Sequence, residues 1–171
     1  MAVFDFDSTL VFTEGAEMGR KKWLMHYDNL FPYKTDEIGK SVRAWWSHPE
    51  SLNTEIFHHP SNEYVRNIYK NHLNNNDFMV MLTGRLESLE PGVKKILDMH
   101  DYKFDRYYFN PKGFNTEKYK VKKVEDLMKE FKSIEKIDFY DDRGKHITFF
   151  RDWAKIQSEI RKIEINIHHI K

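Results

Sequence analysis

Three short apolar segments, each followed directly by polar residues, constrain the fold of this chain more than any other feature. They occupy residues 2–6, 78–82 and 137–140, the first interrupted only by Asp5, and the segments between them carry apolar residues at helical spacing. Apolar runs of this length are typical of parallel strands that are covered on both faces. Strands alternating with helices indicate an α/β fold with a doubly wound, mostly parallel sheet.

Further strands and helices are expected between and after these segments. Residues 103–110 form a candidate strand, and Ile163, Ile165 and Ile167 alternate with polar residues as in an edge strand. Helical spacing occurs in three segments: 64–73 after the expected N-cap Ser61, 91–97 beginning with Pro91, and 121–131 after Thr116.

The chain length predicts a single domain. Its 171 residues suffice for one hydrophobic core and are too few for two full enzyme domains. We therefore predict one domain over residues 1–171. Residues 11–77 are more than one crossover helix requires, so this segment is predicted to include a small insertion or cap.

Charge and composition exclude several functional classes. The 28 basic and 27 acidic residues give a net charge of +1, which argues against a protein that coats nucleic acid but leaves room for a local basic site. The absence of cysteine excludes disulfides, thiolate-bound zinc and a cysteine nucleophile, and it fits an intracellular, cytoplasmic location. The apolar runs are short, so we expect no membrane partner, and we infer no obligate protein partner.

Polar side chains follow each predicted strand at the edge of the sheet where ligands bind. The first strand ends in Asp5 and Asp7, which strand alternation would project towards the same side; residues 83–85 (Thr-Gly-Arg) follow the second strand, and Asp141 and Asp142 follow the third. A single Asp-x-Asp pair is equally typical of a turn or helix cap. Three such strand ends together favour a site, because clustered carboxylates repel one another unless a hard cation such as Mg²⁺ neutralises them.

These residues resemble the motifs of the haloacid dehalogenase (HAD) superfamily. The segment VFDFDSTL is similar to its first motif, LTGR to its second and FYDDR to its acidic fourth motif, with a lysine before the last strand as the third. The resemblance implies that Asp5 is the nucleophile that forms an aspartyl-phosphate and that Asp7 is the general acid and base. The presence of Asp7 favours a phosphatase over a dehalogenase or a P-type pump.

The same resemblance implies the ligands of the metal and the substrate. The residues that would hold Mg²⁺ are Asp5, Asp141 and Asp142, together with the main-chain carbonyl of Asp7. At the fourth motif, either Asp141 or Asp142 is the direct ligand. The implied substrate-binding residues are Thr9, Thr83, Gly84, Arg85 and Arg143.

Four lysines compete for the role of the third motif. Heptad spacing places Lys120 in line with Val124 and Leu127 on the apolar face of its helix, whereas Lys122 lines up with Asp126. Lys120 is therefore the predicted catalytic lysine. Lys118 is the alternative, and the remaining lysines, Lys122 and Lys123, are expected in solvent.

Two local patterns suggest the substrate. Arg85 follows the Thr-Gly pair of the second motif, and the fourth motif reads Asp-Asp-Arg over residues 141–143. This combination is similar to the pattern in the 3′-phosphatase domain of phage polynucleotide kinases. The segment WWSHPESL, which begins at Trp45 and Trp46, resembles the Swiss Army Knife RNA-repair-like branch of the superfamily. These tryptophans either pack the insertion onto the core or stack on a terminal base.

The resulting hypothesis is a Mg²⁺-dependent phosphomonoesterase that acts on a nucleotide or on the 3′-phosphate of a nucleic-acid end. A phosphatase of free nucleotides or small metabolites is the second hypothesis, and a non-catalytic module that binds phosphorylated ends is the third. A zinc site is not expected at the pairs 58–59 and 168–169, because adjacent histidines need not converge. His146 either contacts substrate, braces the fourth motif or is an ordinary polar residue at a helix start.

Overall fold

A single parallel sheet organises the fold. The computed structural model describes residues 1–28, 45–111 and 114–171. Five strands form the sheet within these residues: β1 (Ala2–Phe4), β2 (Met79–Leu86), β3 (Arg106–Asn110), β4 (Lys136–Asp141) and β5 (Glu164–His169). Their order is β3-β2-β1-β4-β5, and every neighbouring pair is parallel. The predicted α/β class is confirmed, and β5 lies at the expected edge.

Helices cover both faces of the sheet. They are α1 (Ala16–Tyr27), α2 (Glu63–Asn74), α3 (Glu90–Met99), α4 (Thr116–Glu130) and α5 (Gly144–Arg161), with short 3₁₀ turns at Pro49–Leu52 and Glu87–Leu89. Helices α2 and α3 contribute to one apolar cluster, and α4 and α5 contribute to the other. No described helix combines the length and the apolar character needed to cross a membrane.

The strand residues explain why both faces are covered. Ala2 and Phe4 of β1 join the cluster under α2 and α3, whereas Val3 between them joins the cluster under α4 and α5. Successive side chains of a strand point to opposite faces, so a continuous apolar run buries one set on each side. The apolar segments of the sequence therefore require helices on both sides of the sheet.

Helix starts follow local capping chemistry, with one correction to the sequence prediction. The N-cap of α2 is Asn62, whose side chain accepts the N–H of Val65 at 3.4 Å, and it is not Ser61. The Ser61 hydroxyl is instead within 2.9 Å of the Tyr102 hydroxyl. Asparagine and serine cap helices about equally well, so tertiary contacts of Ser61 decide between the two neighbours.

Strand boundaries also differ from the sequence prediction. Strand β1 ends at Phe4, so Asp5 and Asp7 lie in the following turn, where Ser8 has a positive φ of 56°. Strand β2 runs on through residues 83–86, with a register shift against β3, and Asp141 is the last residue of β4. Asp5 and Asp7 therefore share a site because of turn geometry and not because of strand alternation.

The long segment after β1 has two parts. Helix α2 belongs to the main core, because its Val65 and Tyr69 are buried beneath the sheet. Helix α1 and most apolar residues of 45–57 instead contribute to a separate apolar cluster built on Trp23, Trp45 and Phe57, whereas Leu52 joins the main core. Residues 29–44 of the predicted insertion lie outside the described residues. That the insertion over residues 11–77 acts as a cap stays a prediction.

The strand order creates a crevice beside β1. The chain runs from β1 through α2 to β2 on one side, and it later returns through α4 to β4 on the other side of β1. In open α/β sheets, ligands bind where the strand order reverses in this way, at the carboxyl ends of the strands. The residues that follow β1 and β4 therefore meet at the edge where a site is expected.

Candidate active site

A buried lysine joins the ends of β1 and β4. The Lys120 ammonium Nζ lies 2.8 Å from Oδ1 of Asp5 and 2.6 Å from Oδ2 of Asp141. Lys120 is only 1% exposed, and both carboxylates are buried as well. A cation that is removed from water needs this kind of pairing, because its desolvation is otherwise too costly.

The helical-face argument for Lys120 is confirmed by the packing of α4. Lys120 points inward with Val124 and Leu127, whereas Lys118 and Lys122 are exposed. Lys122 pairs with Asp126 at 3.0 Å along the outer face of the helix. The catalytic role of Lys120 stays a prediction, but among these four lysines it is the one that contacts Asp5.

The two carboxylates beside Lys120 have opposite electrostatic character. Burial raises the pKa of Asp5, and the charge of Lys120 only partly offsets this effect. Burial also opposes ionisation of Asp141, but the Lys120 ammonium and further hydrogen bonds hold the pKa of Asp141 below its usual range. The backbone N–H of Arg143 donates one of these bonds to Oδ1 of Asp141 at 3.0 Å. Asp141 is thus a fixed anion, and of the two carboxylates the charge of Asp5 is less compensated.

Three carboxylates could hold a metal ion. Oxygen atoms of Asp5, Asp141 and Asp142 lie within 4.8 Å of one another. Among the described residues, the buried Oδ1 of Asp142 has no hydrogen-bond partner, and burial together with the charge of Asp141 raises the pKa of Asp142. An unpartnered carboxylate oxygen beside two other carboxylates fits a hard divalent cation that prefers oxygen ligands.

Asp7 faces the same crevice but has a different partner. Its Oδ2 accepts a bond from Nε of Arg85 at 2.9 Å, and its Oδ1 accepts one from Nη2 at 2.7 Å. The Thr13 hydroxyl donates a further bond to Oδ1 at 2.7 Å. Although burial alone would raise the pKa of Asp7, the Arg85 guanidinium lowers it. Asp7 is therefore held as a carboxylate.

Arg85 also connects the insertion to the core. Its Nη1 donates to the main-chain carbonyl of Trp46 at 2.9 Å and to the hydroxyl of Ser51 at 2.6 Å. The guanidinium carbon lies 4.9 Å from the centroid of the Trp46 ring. Arg85 is almost fully buried, so this one side chain ties three parts of the chain together.

A cavity of about 730 Å³ opens above these groups. Asp5 and Asp7 line it from the turn after β1, and Lys120 lines it from α4. The insertion, the end of β2, the loops before α4 and α5 and the first turns of these two helices supply the remaining walls: Trp46, Ser47, Gly84, Arg85, Leu86, Phe114, Asn115, Thr116, Glu117, Arg143 and His146. The volume lies within the range of ligand pockets.

Two residues implied as substrate ligands lie away from this cavity. Thr83 is fully buried, and its hydroxyl accepts the backbone N–H of Arg85 at 3.1 Å. Thr9 is also fully buried, and its hydroxyl has no hydrogen-bond partner in residues 1–28, 45–111 and 114–171. Neither side chain lines the cavity, whereas Gly84, Arg85 and Arg143 do.

A family model described as HAD domain family 1 in Swiss Army Knife RNA repair proteins matches residues 33–171. The chain belongs to this family. The matched range contains Arg85, Lys120 and Asp141 and begins after Asp5 and Asp7. Membership in a HAD domain family indicates a hydrolase of the phosphatase type, and HAD domains are typically metal-dependent. No individual curated protein matches the chain significantly.

The two adjacent tryptophans of this HAD domain occupy different environments. Trp45 is fully buried, its indole N–H donates to the carbonyl of Glu14 at 2.9 Å, and its ring leaves no room for a side chain at Gly19. Trp46 is half-buried and lines the cavity. The interpretation that the tryptophans pack the insertion onto the core therefore applies to Trp45. Of the two rings, only that of Trp46 is placed where it could stack on a base.

Gly84 of the HAD domain permits a close approach between β2 and α4. A Cβ atom at this position would lie 2.8 Å from Cγ2 of Thr116, which is closer than real Cβ atoms come. The wall of the cavity at this point is therefore main chain, and the first turn of α4, which leads to Lys120, can pack directly against it.

Several residues of the site were not found by sequence reasoning. Thr13 contacts Asp7, and Ser51 contacts Arg85. Phe114 lines the cavity. No local pattern marks Thr13 or Phe114, because each lies in an irregular segment whose position depends on packing against distant residues. Two signals were available: Thr13 is close to the first motif, and Ser51 belongs to the segment WWSHPESL.

Four histidines of the HAD domain have different surroundings. His146 lies beside the fourth motif, with its Nδ1 3.7 Å from Oδ1 of Asp141, and it also lines the cavity. The Nε2 atom of His168 lies 2.9 Å from Oδ1 of Asp138, and that of His169 lies 3.0 Å from the carbonyl of Asp142. The neighbours His168 and His169 therefore have separate partners, while His59 is buried with a positive φ of 43°.

Proposed function

We propose that this HAD domain is a Mg²⁺-dependent phosphomonoesterase that works through an aspartyl-phosphate on Asp5 and acts on the 3′-phosphate of a nucleotide or nucleic-acid end. The observation that carries the proposal is the position of Asp5. It lines the cavity, its Oδ1 lies 2.8 Å from the Lys120 ammonium that also binds Asp141, and a second carboxylate, Asp7, lines the same cavity. A non-catalytic binding module would have no need for this pair of carboxylates.

The reaction proceeds in two steps at phosphorus. In the first, a carboxylate oxygen of Asp5 forms a bond to phosphorus while the bond to the ester oxygen breaks, and the departing oxygen takes a proton from Asp7. In the second, Asp7 accepts a proton from water, the water oxygen attacks phosphorus, and the bond to Asp5 breaks. The products are the alcohol and inorganic phosphate, with Asp5 restored.

Lys120 supports both steps by its charge. Its ammonium orients Asp5 at 2.8 Å, and it also lines the cavity in which the phosphoryl oxygens would lie. Preorganised cations stabilise the charge that develops on these oxygens in the transition state. Asp5, Asp141 and Asp142 would hold the Mg²⁺, which when bound neutralises phosphoryl charge and screens the repulsion between Asp5 and the substrate.

The pairing of Asp7 with Arg85 fits the second step more directly than the first. Arg85 keeps Asp7 ionised, which is the state that accepts a proton from water. Donation to the leaving group requires that Asp7 first gains a proton, which this ion pair opposes. We therefore expect Arg85 to turn from Asp7 towards the substrate phosphate when the substrate binds.

Two observations support a nucleic-acid end as the substrate. The family description links this domain to RNA repair proteins. The cavity contains Arg85, Arg143 and Lys120, whereas the chain as a whole has a net charge of only +1. This distribution fits a phosphate bound at one point and does not fit a long electrostatic track, so the KM for an oligonucleotide should depend weakly on salt.

A panel of phosphate esters tests the proposal. Release of inorganic phosphate is measured from RNA and DNA oligonucleotides with 3′- or 5′-phosphates, from mononucleotides and from glycerol phosphate. We expect the highest kcat/KM for a 3′-phosphorylated oligonucleotide, loss of activity in EDTA and recovery on addition of Mg²⁺. The Asp5→Asn variant is the control for contaminating phosphatases.

Other outcomes of this panel identify the alternatives. A preference for mononucleotides or glycerol phosphate would favour the small-metabolite hypothesis, to which the balanced charge of the chain also points. Tight binding of 3′-phosphorylated ends without phosphate release from any ester would favour a non-catalytic binding module. Full activity in EDTA would contradict the metal site at Asp5, Asp141 and Asp142.

A further inference from the structure

An exposed aromatic ring stands at the wall of the cavity. Phe114 lies in the loop before α4, is 63% exposed and lines the same cavity as Asp5 and Lys120. Within the described residues, its ring has no aromatic or cationic partner. Exposed apolar side chains are common on protein surfaces, but one beside a polar phosphate-sized site is well placed to contact the rest of a ligand.

The backbone around Phe114 is tethered. Its carbonyl accepts a bond from Nδ2 of Asn110 at 3.0 Å, and its N–H donates to the carbonyl of Pro111 at 3.4 Å. Asn110 is buried at the end of β3, so this bond connects the main chain of Phe114 to the sheet. The main chain at Phe114 is therefore anchored while its ring is exposed.

A second aromatic ring lines the cavity from the insertion. Trp46 packs partly against the apolar cluster of Trp23, Trp45 and Phe57, and the Arg85 guanidinium lies over its ring at 4.9 Å. Trp46 is thereby fixed in place, whereas the Phe114 ring contacts no other aromatic ring among the described residues. Both rings belong to the cavity that holds Asp5 and Lys120, but they come from different parts of the chain.

We propose that Phe114 and Trp46 form a base-binding site for the terminal nucleotide and that Phe114 determines a preference for unpaired ends. The inference rests on the proposed function, because it assigns the nucleobase next to a phosphate bound at Asp5. Aromatic rings bind bases by stacking, which tolerates any base but requires that the base be unstacked from a duplex. The low net charge of the chain also favours recognition through stacking over recognition through many phosphates.

Three substrates with the same reacting group separate this role from catalysis. They are a 3′-phosphorylated single-stranded trinucleotide, the same trinucleotide with an abasic 3′-terminal residue, and glycerol phosphate. In the wild-type protein, the terminal base should lower the KM relative to the abasic substrate. In Phe114→Ala, this ratio of KM values should shrink by about tenfold, the scale of losing one base–aromatic stack.

Matched variants control for folding and for general effects. Phe114→Tyr keeps a stacking surface and should retain most of the wild-type ratio. Tyr64→Ala removes another exposed aromatic ring, 68% exposed and outside this cavity, and should leave all three KM values unchanged. Trp46→Ala is less informative, because it also removes the contact with Arg85.

A binding measurement keeps the test independent of turnover. A single-stranded trinucleotide 3′-phosphate with 2-aminopurine as its terminal base should lose fluorescence when it stacks in the site of the Asp5→Asn protein. Adding Phe114→Ala to this protein should abolish most of the quenching, while adding Tyr64→Ala should not.

The outcomes distinguish this inference from the proposed function. Normal quenching in the double variant, an unchanged KM ratio in Phe114→Ala, or an equal rise of KM for all three substrates would overturn the base-binding site. Phosphate release from none of the substrates by the wild-type protein would overturn the proposed function alone, because the quenching experiment would still test whether Phe114 contacts the base.

Discussion

Arg85 binds both carboxylate oxygens of Asp7, with Nε 2.9 Å from Oδ2 and Nη2 2.7 Å from Oδ1. Its remaining terminal nitrogen, Nη1, donates to the Trp46 carbonyl and the Ser51 hydroxyl of the insertion. The planar fork of an arginine matches a carboxylate in this way, which a lysine cannot do. One side chain therefore sets both the charge state of Asp7 and the contact between insertion and core.

Replacing Arg85 tests this double role. Arg85→Ala should lower the free energy of unfolding by about 3–5 kcal/mol, because Asp7 is left buried without its partner. Arg85→Lys should recover only part of this loss. Urea denaturation measures both, with Arg106→Ala as the control, since Arg106 is an exposed arginine whose carboxylate partner, Glu130, is 3.8 Å away. Equal effects of Arg85→Ala and Arg106→Ala would show that the ion pair with Asp7 contributes little.

Asp5 should carry the phosphoryl group during turnover. Asp5→Asn should lower kcat by more than about 10³-fold, because the amide is a poor nucleophile of nearly the same shape. Rapid acid quenching of the wild-type reaction, followed by mass spectrometry of the intact protein, should detect one added phosphoryl group that is absent in Asp5→Asn. Phosphorylation at another residue, or a wild-type rate in the variant, is incompatible with the proposed nucleophile.

Lys120 and Lys122 form a matched pair on one helix. Lys120→Ala should lower kcat by about 10²–10³-fold, the scale of losing one preorganised charge at the reacting centre. Lys122→Ala should change kcat little, because its ammonium pairs with Asp126 on the exposed face of α4. Steady-state kinetics on one 3′-phosphorylated substrate compares them. Similar losses in the two variants would contradict the assignment of Lys120.

His59 should make the protein less stable in mild acid. Burial and the nearby charge of Arg85 lower the pKa of His59 to about 4, from the ordinary 6.5, and neither ring nitrogen has a hydrogen-bond partner within the part of the chain that the structure describes. Since the unfolded chain binds this proton more readily, stability contributed by neutral His59 is present above pH 6.5 and is lost as the pH falls towards 4. The loss should be on the order of 2 kcal/mol, allowing for screening by solvent.

Urea denaturation at pH 7 and pH 4.5 measures this effect by difference. Asparagine, like histidine, tolerates the positive φ at position 59, so His59→Asn should keep the local backbone. The stability of this variant should decrease less between pH 7 and pH 4.5 than that of the wild-type protein. His58→Asn changes the exposed neighbour and should behave like the wild type. An identical decrease in all three proteins would assign the acid sensitivity to other groups.

The sequence by itself determined the α/β class, the segments of the five strands, the face of α4 that carries Lys120, and the meeting of Asp5 with Asp141. These features depend on the periodicity of apolar residues and on the rule that parallel strands end at the same edge, both of which are properties of regular backbone. The exact ends of the strands did not follow, because they depend on pairing with neighbouring strands: β2 continues through Thr83 to Leu86, and β1 ends at Phe4 although the Asp5 N–H still donates to the Tyr140 carbonyl at 3.0 Å.

Only the tertiary structure decided which side chains complete the site. Trp45 and Trp46 are neighbours in sequence, yet one is buried in the insertion and the other lines the cavity. Arg85 meets Asp7 and Ser51, which are 78 and 34 residues away in the chain. Such partners lie in turns and irregular segments, where no repeating pattern fixes the direction of a side chain. Their positions are set by packing between distant parts of the chain, which a local pattern does not encode.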